Sequence, residues 1–309
     1  MKIVTLTLNP AFDVHCFAEN FQPFHENLAH VTANEAGGKG VNISRALTVN
    51  GVENTALVVL GEENGDSFRR ALIADQIPFR DVTVAGRIRE NITLHTNDAP
   101  ETRISFAGFT ATDGLIDRVE ALLNDLMDGD CILTFTGRNP EGVSMDRVKS
   151  MLIGLQKKGV KIVLDSRSFG KQDMIDVRPW LIKPNEEEIG MYADIDVQDF
   201  DSAKQAAETL RAAGIENVMI SLGSKGAMLC CEKGCYVVYA PKIEALSTIG
   251  AGDSSIGGFC AAAKEGLEYS DMLRYAVAYG SAACMTEGTR PPQAKDVKAL
   301  LSDLTVLTL

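Results

Sequence analysis

Two glycine-rich turns, each running into a helix, hold the residue types in this chain that could do chemistry. The later turn, Thr248-Ile249-Gly250-Ala251-Gly252-Asp253, leads into a helix of small residues over 254–264. Three small residues let backbone N–H groups converge on an anion, the helix N-terminus adds the positive end of its dipole, and Asp253 sets a carboxylate in the first turn. That set suits phosphoryl transfer, in which catalysis is positioning, stabilisation of charge on the equatorial oxygens and acceptance of a hydroxyl proton. Gly250, Ala251 and Gly252 would then form the anion hole and Asp253 the base. A plain glycine turn with Asp253 as helix cap accounts for the motif equally well when it stands alone.

The earlier turn, Gly37-Gly38-Lys39-Gly40-Val41-Asn42, opens an amphipathic helix over 41–49, with Ile43, Ala46, Leu47 and Asn50 at helical spacing. Here Lys39 can meet a phosphate as a point charge, Gly37 and Gly38 let a sugar approach the backbone, and Asn42 can bridge two hydroxyls. A helix entry with a surface lysine fits the same residues taken singly.

The elements around these turns alternate. A strand over 3–8 is followed by a mixed segment to 34, the helix after Gly40, a strand over 56–60, a helix over 66–75 and a β-rich stretch over 82–106. The order then becomes regular, with helix 115–127, strand 131–135, helix 143–157, strands 161–165 and 180–182, helix 200–212 and strand 217–222. Strands alternating with helices of this length predict a parallel sheet covered on both faces, with ligands at the carboxyl ends of its strands. The segments 12–34 and 87–107 break the alternation. In the second of them Arg89, Asn91 and Arg103 alternate with Ile88, Ile92, Leu94 and Ile104, so one strand face can present polar and cationic groups.

The two turns, in this order, resemble those of the ribokinase-like (PfkB-type) carbohydrate kinases, in which an early GG motif binds the sugar and a late GAGD motif carries catalysis. Thr5-Leu6-Thr7-Leu8-Asn9-Pro10-Ala11-Phe12-Asp13 resembles the first strand and sugar-binding turn of the branch containing 1-phosphofructokinase and tagatose-6-phosphate kinase. That branch also has the lysine of Gly37-Gly38-Lys39-Gly40. Lys183-Pro184-Asn185-Glu186-Glu187-Glu188 resembles the family's Asn-x-x-Glu element, Ser221-Leu222-Gly223-Ser224-Lys225-Gly226-Ala227 its nucleotide strand and turn, and Arg89-Glu90-Asn91-Ile92 its phosphate-contacting strand. Two positions depart from the pattern. Thr93 stands where the branch has a lysine, and the turn Thr136-Gly137-Arg138-Asn139-Pro140-Glu141-Gly142 has Arg138 in place of a small hydroxyl residue. Either one cation has taken over from another, or the anionic group of the substrate differs.

The resemblance implies an α/β, ribokinase-like fold over residues 1–309: one domain with a doubly wound, mostly parallel sheet, helices on both faces, and a small β-lid from about 12–34 and 87–107. Such a lid keeps water from the transferred group, and in the family it often serves dimerisation, so a homodimer through the lid is expected. The implied reaction moves the γ-phosphoryl group of ATP to a ketohexose phosphate, first of all fructose 1-phosphate to fructose 1,6-bisphosphate. Tagatose 6-phosphate or another anionic sugar is the alternative, and a non-catalytic sugar or nucleotide sensor a remote one. Asp13, Gly37, Gly38, Lys39, Asn42, Arg89, Asn91, Arg103 and Arg138 are the implied substrate contacts. Lys183, Asn185, Ser221, Gly223, Lys225, Gly226 and Ser247 would line the nucleotide, and Asn185 with Glu188 would hold Mg²⁺ through water. Without the resemblance, Glu186, Glu187 and Glu188 read as a solvated acidic first helical turn.

Composition narrows the partners. With 309 residues, 45% of them hydrophobic, the chain can bury a large core. Its net charge of −12 argues against nucleic acid or an anionic membrane as partner, and a phosphorylated substrate must be drawn in by local cations. No signal-peptide pattern opens the chain, and no apolar run approaches the roughly 18 residues of a membrane span, so a cytoplasmic protein is expected. Seven scattered cysteines fit a reducing compartment better than a disulfide framework; Cys230, Cys231 and Cys235 flank a hairpin turn and lack the second ligand pair of a zinc site.

Overall fold

The computed structural model describes residues 1–19, 21–97 and 101–309. In chain order they form β1 (Lys2–Thr7), β2 (Ala11–Ala18), β3 (His30–Gly37), α1 (Lys39–Val49), β4 (Thr55–Gly61), α2 (Gly65–Ala74), β5 (Phe79–Val84), β6 (Arg89–Thr96), β7 (Thr102–Ser105), α3 (Asp113–Leu126), β8 (Cys131–Thr136), α4 (Met145–Gln156), β9 (Lys161–Asp165), α5 (Lys171–Val177), β10 (Leu181–Ile182), α6 (Glu186–Ala193), α7 (Phe200–Ala212), β11 (Asn217–Ser221), β12 (Ala227–Cys231), β13 (Gly234–Val238), α8 (Ala251–Lys264), α9 (Tyr269–Cys284), α10 (Ala294–Asp303) and β14 (Val306–Thr308).

Ten strands make the main sheet, in the order β14-β13-β12-β11-β10-β9-β8-β1-β4-β5. From β11 to β5 every pairing is parallel, and β12, β13 and β14 close one edge antiparallel. Parallel strands buried on both faces read as nearly unbroken apolar runs, and their alternation sorts the side chains between two cores. On one face Val4, Leu6 and Leu133 pack against α3, α4 and α7 through Ile116, Leu152 and Leu210. On the other, Ile3 and Ile132 pack against α1, α8 and α9 through Leu47, Phe259 and Leu273. This is the expected mostly parallel sheet with helices on both faces.

The sequence reading differs from the structure in a few elements. The β-rich stretch over 82–106 divides, because β5 joins the main sheet beside β4 while β6 and β7 belong elsewhere. Helices α5 and α10 and the strand β14 had no place in that reading, being short or weakly patterned. The hairpin at Glu232-Lys233-Gly234 forms as predicted, and its register sets Cys230 opposite Cys235, Cα atoms 4.2 Å apart. The sequence reading argues against a disulfide framework, and one pair departs from it. These two sulfurs are bonded at 2.11 Å, and Cys16, Cys131, Cys231, Cys260 and Cys284 are free. No helix among the described residues is long and apolar enough to cross a membrane.

Four strands form a second sheet, β3-β2-β6-β7, from the two segments that break the α/β alternation. Positions 20 and 98–100 of those segments lie outside the described residues. Period two divides its faces. Phe12 and Val14 of β2 pack with Phe68 and Leu72 of α2, the Phe12 and Phe68 rings meeting edge to face at 5.2 Å. The intervening Asp13 and His15 point the other way, Asp13 against Gly37 and His15 toward Gly288.

Helix α8, which begins at the later glycine turn, is seated by close contact with α9. A side-chain carbon at Gly258 would lie 2.5 Å from the Tyr275 carbonyl oxygen, so the helices approach at a distance that only glycine allows. Gly258→Ala is expected to push them apart at a cost of about 1 to 3 kcal/mol, the usual scale for overpacking. Urea denaturation would register this as a lower midpoint with an unchanged slope, and an unaltered midpoint would show that the crossing can relax.

Candidate active site

The anion turn forms as the sequence suggests. Gly250 takes a left-handed φ of 78°, and α8 has no side-chain cap. Among the described residues, Ser254 N–H is bonded to the Gly250 carbonyl, while the N–H groups of Gly252 and Asp253 have no partner. Free N–H groups at the positive end of a helix are the donors that an anion requires.

Asp253, only 8% exposed, accepts a hydrogen bond from Asn42 Nδ2 at 3.0 Å. The two glycine turns therefore meet, the first turn of α1 against the first turn of α8. Lys39 Nζ donates to Asp165 Oδ2 at 2.8 Å. The Lys183 ammonium lies against Gly252, 3.1 Å from where a side-chain carbon would sit. Two carboxylates and two ammonium groups thus share a small volume at the ends of β9 and β10.

Their titration follows from that arrangement. Burial pushes Asp253 up to about 6, against the pull of the Lys39 charge and the Asn42 donor, with the neighbouring Asp165 charge adding to the rise. Burial acts on Asp165 too, but Lys183 and Lys39 together outweigh it and hold Asp165 below the usual carboxylate range. Lys39 is raised, because Asp165 and Asp253 together more than offset its desolvation.

The second sheet supplies another cluster. Asn91 Nδ2 donates to Asp13 Oδ1 at 2.8 Å across the β2–β6 register. Gly37 is required beside them, since a side-chain carbon there would fall 2.1 Å from Asp13 Oδ2. Burial raises Asp13, opposed by the Asn91 donor and the Arg103 charge. Arg89 donates to Asn91 Oδ1 at 3.5 Å and leaves its buried Nε without a partner. Desolvation lowers Arg89, the Asp13 charge opposes this, and the like charge of Arg138 lowers it further. Neither arginine forms an ion pair with a described residue, and the Asp13 carboxylate is the nearby anion that acts on Arg89.

Other predicted residues have other settings. The charges around Lys39 are those of Asp165, Asp253 and Glu188, and the charges around Arg89 those of Asp13 and Arg138. Arg103 stands exposed on β7, opposite buried Thr93. Asn185 caps α6 in a reciprocal box: its Oδ1 accepts from Glu188 N–H at 2.8 Å, and Glu188 Oε2 accepts from Asn185 N–H at 3.2 Å. Glu188 Oε1 remains, with Arg167 Nε 3.6 Å away. That fits a cation held through water rather than by direct ligation. Lys225 is tied to Glu186 at 2.9 Å and to the Gln198 carbonyl, so its charge is already paired. Ser221 bridges to the strand end at Asn185, Gly223 and Gly226 take left-handed φ in the turn that follows, and Ser247 Oγ accepts from Ile249 N–H just before the anion turn.

Two site residues escaped the sequence reading. Asp165 ends β9, and a carboxylate at the carboxyl end of a predicted parallel strand was the available signal. Arg45, three residues beyond Asn42, is the lone charged residue on the buried face of α1.

A parallel α/β sheet with an uncapped glycine turn, a buried carboxylate and a polar second sheet over the strand ends defines a phosphotransferase of the sugar-kinase class. The chain belongs to the pfkB family of carbohydrate kinases, whose family model matches residues 8–296. It is 29% identical over 310 residues to the 1-phosphofructokinase of Vibrio cholerae serotype O1, covering 100% of this chain and 97% of the relative. To the 1-phosphofructokinase of Escherichia coli (strain K12) it is 33% identical over 258 residues, 83% of this chain and 82% of that one. Phosphofructokinase-2 from Escherichia coli, solved in complex with substrates and products, superposes with a TM-score of 0.90 at 26% identity, covering 98% of this chain and 99% of the other.

The raised titration of Asp253 is also a statement about stability. A carboxyl that titrates higher in the fold than in the unfolded chain favours folding when protonated, so this contribution is complete below about pH 4 and is lost as pH rises through about 6. Asp253→Asn is therefore expected to gain on the parent above pH 7 by up to about 3 kcal/mol, with the gap closing toward pH 4. Urea titrations of both proteins from pH 4 to pH 8 would test this; a gap independent of pH would mean that burial does not strain the carboxylate.

Proposed function

We propose that this kinase transfers the γ-phosphoryl group of ATP to the 6-hydroxyl of fructose 1-phosphate, giving fructose 1,6-bisphosphate. The observation that carries the reading is the placing of Asp253, a buried carboxyl that titrates near 6 beside two free N–H groups at the head of α8. A general base works best near the operating pH and within reach of the hydroxyl it serves. The names of the 1-phosphofructokinase relatives support the choice of sugar.

In this mechanism Asp13 and Asn42 hydrogen-bond the sugar hydroxyls and fix the acceptor, with Gly37 and Gly38 giving room for the ring. Arg89 and Arg138 hold the phosphate already on the sugar, aided by Asn91 and by Arg103 at the rim. The acceptor oxygen attacks the γ-phosphorus, its proton passes to Asp253, and the bond from phosphorus to the ADP oxygen breaks. The N–H groups at Gly252 and Asp253, with Lys39 and Lys183 on either side, offset the charge on the equatorial oxygens. The nucleotide lies along Asn185, Ser221, Gly223, Gly226 and Ser247. A magnesium ion, held through water near Glu188, would neutralise nucleotide phosphate charge.

The second sheet acts as a lid over the acceptor. Two contacts tie it to the loop after α9: Thr289 Oγ1 donates to Glu35 Oε2 at 2.8 Å, and the His15 ring rests against Gly288. We assign its other side to a second copy of the chain. Phe24, Leu28, Val31, Ile104 and Phe106 are all exposed on this sheet and its connection, an apolar surface that a homodimer would cover.

Asp253→Asn is expected to cut turnover at least ~100-fold, the scale of losing a general base, while nucleotide affinity holds. Release of ADP across fructose 1-phosphate, fructose 6-phosphate, tagatose 6-phosphate and free fructose would name the sugar. Preference for tagatose 6-phosphate would move the assignment to that kinase, and turnover on none would favour a sensor.

The two cation groups should separate kinetically. Arg89→Ala is expected to raise KM for the phosphorylated sugar at least ~10-fold with a smaller change in kcat, since it removes a binding contact. Lys39→Ala should lower kcat by a similar factor with KM less affected. The reverse pattern would return Lys39 to the sugar phosphate.

A further inference from the structure

Arg45 is 6% exposed in the body of α1, where a charged side chain is costly unless its donors are met. They are met by three different elements. Nε and Nη2 donate to Asp75 Oδ2 at 2.9 and 2.8 Å, Asp75 being the residue that ends α2. Nη2 also donates to the carbonyl of Ala36, at the root of the second sheet, at 2.5 Å. Nη1 donates to Asn42 Oδ1 at 3.2 Å.

The last of these bonds has a chemical consequence. An asparagine amide presents an acceptor at one end and two donors at the other, and the ends are nearly alike in shape. A guanidinium has donors only, so the end of Asn42 that meets Arg45 must be the oxygen. Nδ2 is then left for Asp253, and a donor on a carboxylate favours its ionised form. Released from Arg45, the amide could turn its oxygen toward Asp253 and accept a hydrogen bond from the protonated carboxyl, holding the base in the form that cannot take a proton.

We propose that Arg45 is a positioning residue of the phosphoryl transfer, fixing the Asn42 amide so that a donor faces the Asp253 carboxylate. The proposal rests on Asp253 being the base. The relay runs from Asp75 through Arg45 and Asn42 to Asp253, and the same guanidinium ties it to the strand that leads into the Gly37 turn.

The test is a double-mutant cycle of Arg45→Met with Asn42→Ala, read as kcat and as the acid limb of kcat/KM with fructose 1-phosphate and ATP. In the parent background Arg45→Met is expected to lower kcat by roughly 3- to 10-fold, the worth of one lost hydrogen bond, and to move the acid limb to higher pH. In the Asn42→Ala background the same change should have little effect on either. The second ionisation of the sugar phosphate also falls near pH 6 but belongs to the substrate, so it stays in place across the four proteins. Equal losses in both backgrounds, or an acid limb that does not move, would overturn the proposal and leave Arg45 as scaffolding between α1 and α2. Should Arg45→Met fail to fold, Asp75→Ala takes its place in the cycle. It frees the guanidinium from two of its bonds at a partly exposed position and is judged by the same criterion with a smaller expected loss. Asp253→Asn separates the two ideas: near-normal turnover there removes the base itself, whereas its loss together with an additive cycle removes only the role of Arg45.

Discussion

Two carboxylates, Asp165 and Asp253, are buried beside two ammonium groups, Lys39 and Lys183, that offset the cost, and the rest of the site is arranged around that exchange of charge. A buried carboxylate with no partner gives up its charge by taking a proton. Asp165 escapes this because Lys39 bonds it directly and Lys183 lies close. Asp253 escapes only in part, since Lys39 reaches it through space and its direct partner is a neutral amide. Two aspartates a short distance apart therefore differ in kind, one a fixed counter-charge and the other a group pushed up to about 6. Environments that push paired acids apart are how one site obtains both.

The fold serves this arrangement by bringing four distant chain segments to one edge. Lys39 opens α1, Asp165 ends β9, Lys183 follows β10, and Asp253 lies in the first turn of α8. Parallel strands place all their carboxyl ends on one side, and the contact of α8 with α9 at Gly258 sets where the α8 N-terminus falls. The second sheet follows a different rule. Its two-residue period sends Phe12 and Val14 into the packing around Phe68 and sends Asp13 against Gly37 and His15 toward Gly288. His15 Nδ1 lies 3.1 Å from His95 Nε2 across β2 and β6, which joins the far end of that polar face. One alternation thus both anchors the sheet and equips it.

Much of this was legible in the sequence because it is local. A glycine turn entering a helix is written in consecutive residues, and so is a strand of alternating polar and apolar side chains. For that reason the turns at Gly37 and Gly250, the helices behind them and the polar pattern of Arg89 and Asn91 could be read directly. What could not be read depends on register between distant strands. Nothing near Lys39 says that its partner is Asp165 rather than a ligand, because that pairing needs β9 to lie two strands from β1. Nothing near Arg45 says that it will be buried, because its three partners come from α2, from β3 and from its own helix. The assignment of β5 to the main sheet and of β6 to the second is a fact of the same kind, since both are short strands of similar composition. The bond between Cys230 and Cys235 also follows from hairpin register, which composition does not record.

The division of the cations shows how a chain of net charge −12 can handle phosphorylated molecules. At Lys39 and Lys183 each ammonium already has a carboxylate beside it, so the local charge is close to balanced before any ligand arrives. A phosphoryl group in transit brings charge that shifts from one oxygen to another, and a site near balance can follow it with small adjustments. At Arg89 and Arg138 no ion pair forms among the described residues, and Asp13 acts on Arg89 through space. Burial lowers Arg89, the Asp13 charge opposes this, and the like charge of Arg138 adds a smaller part. Arg138 stands exposed just past β8 and Thr93 is buried on β6, so the charge of the first lies at the edge of the main sheet, close enough to act on Arg89.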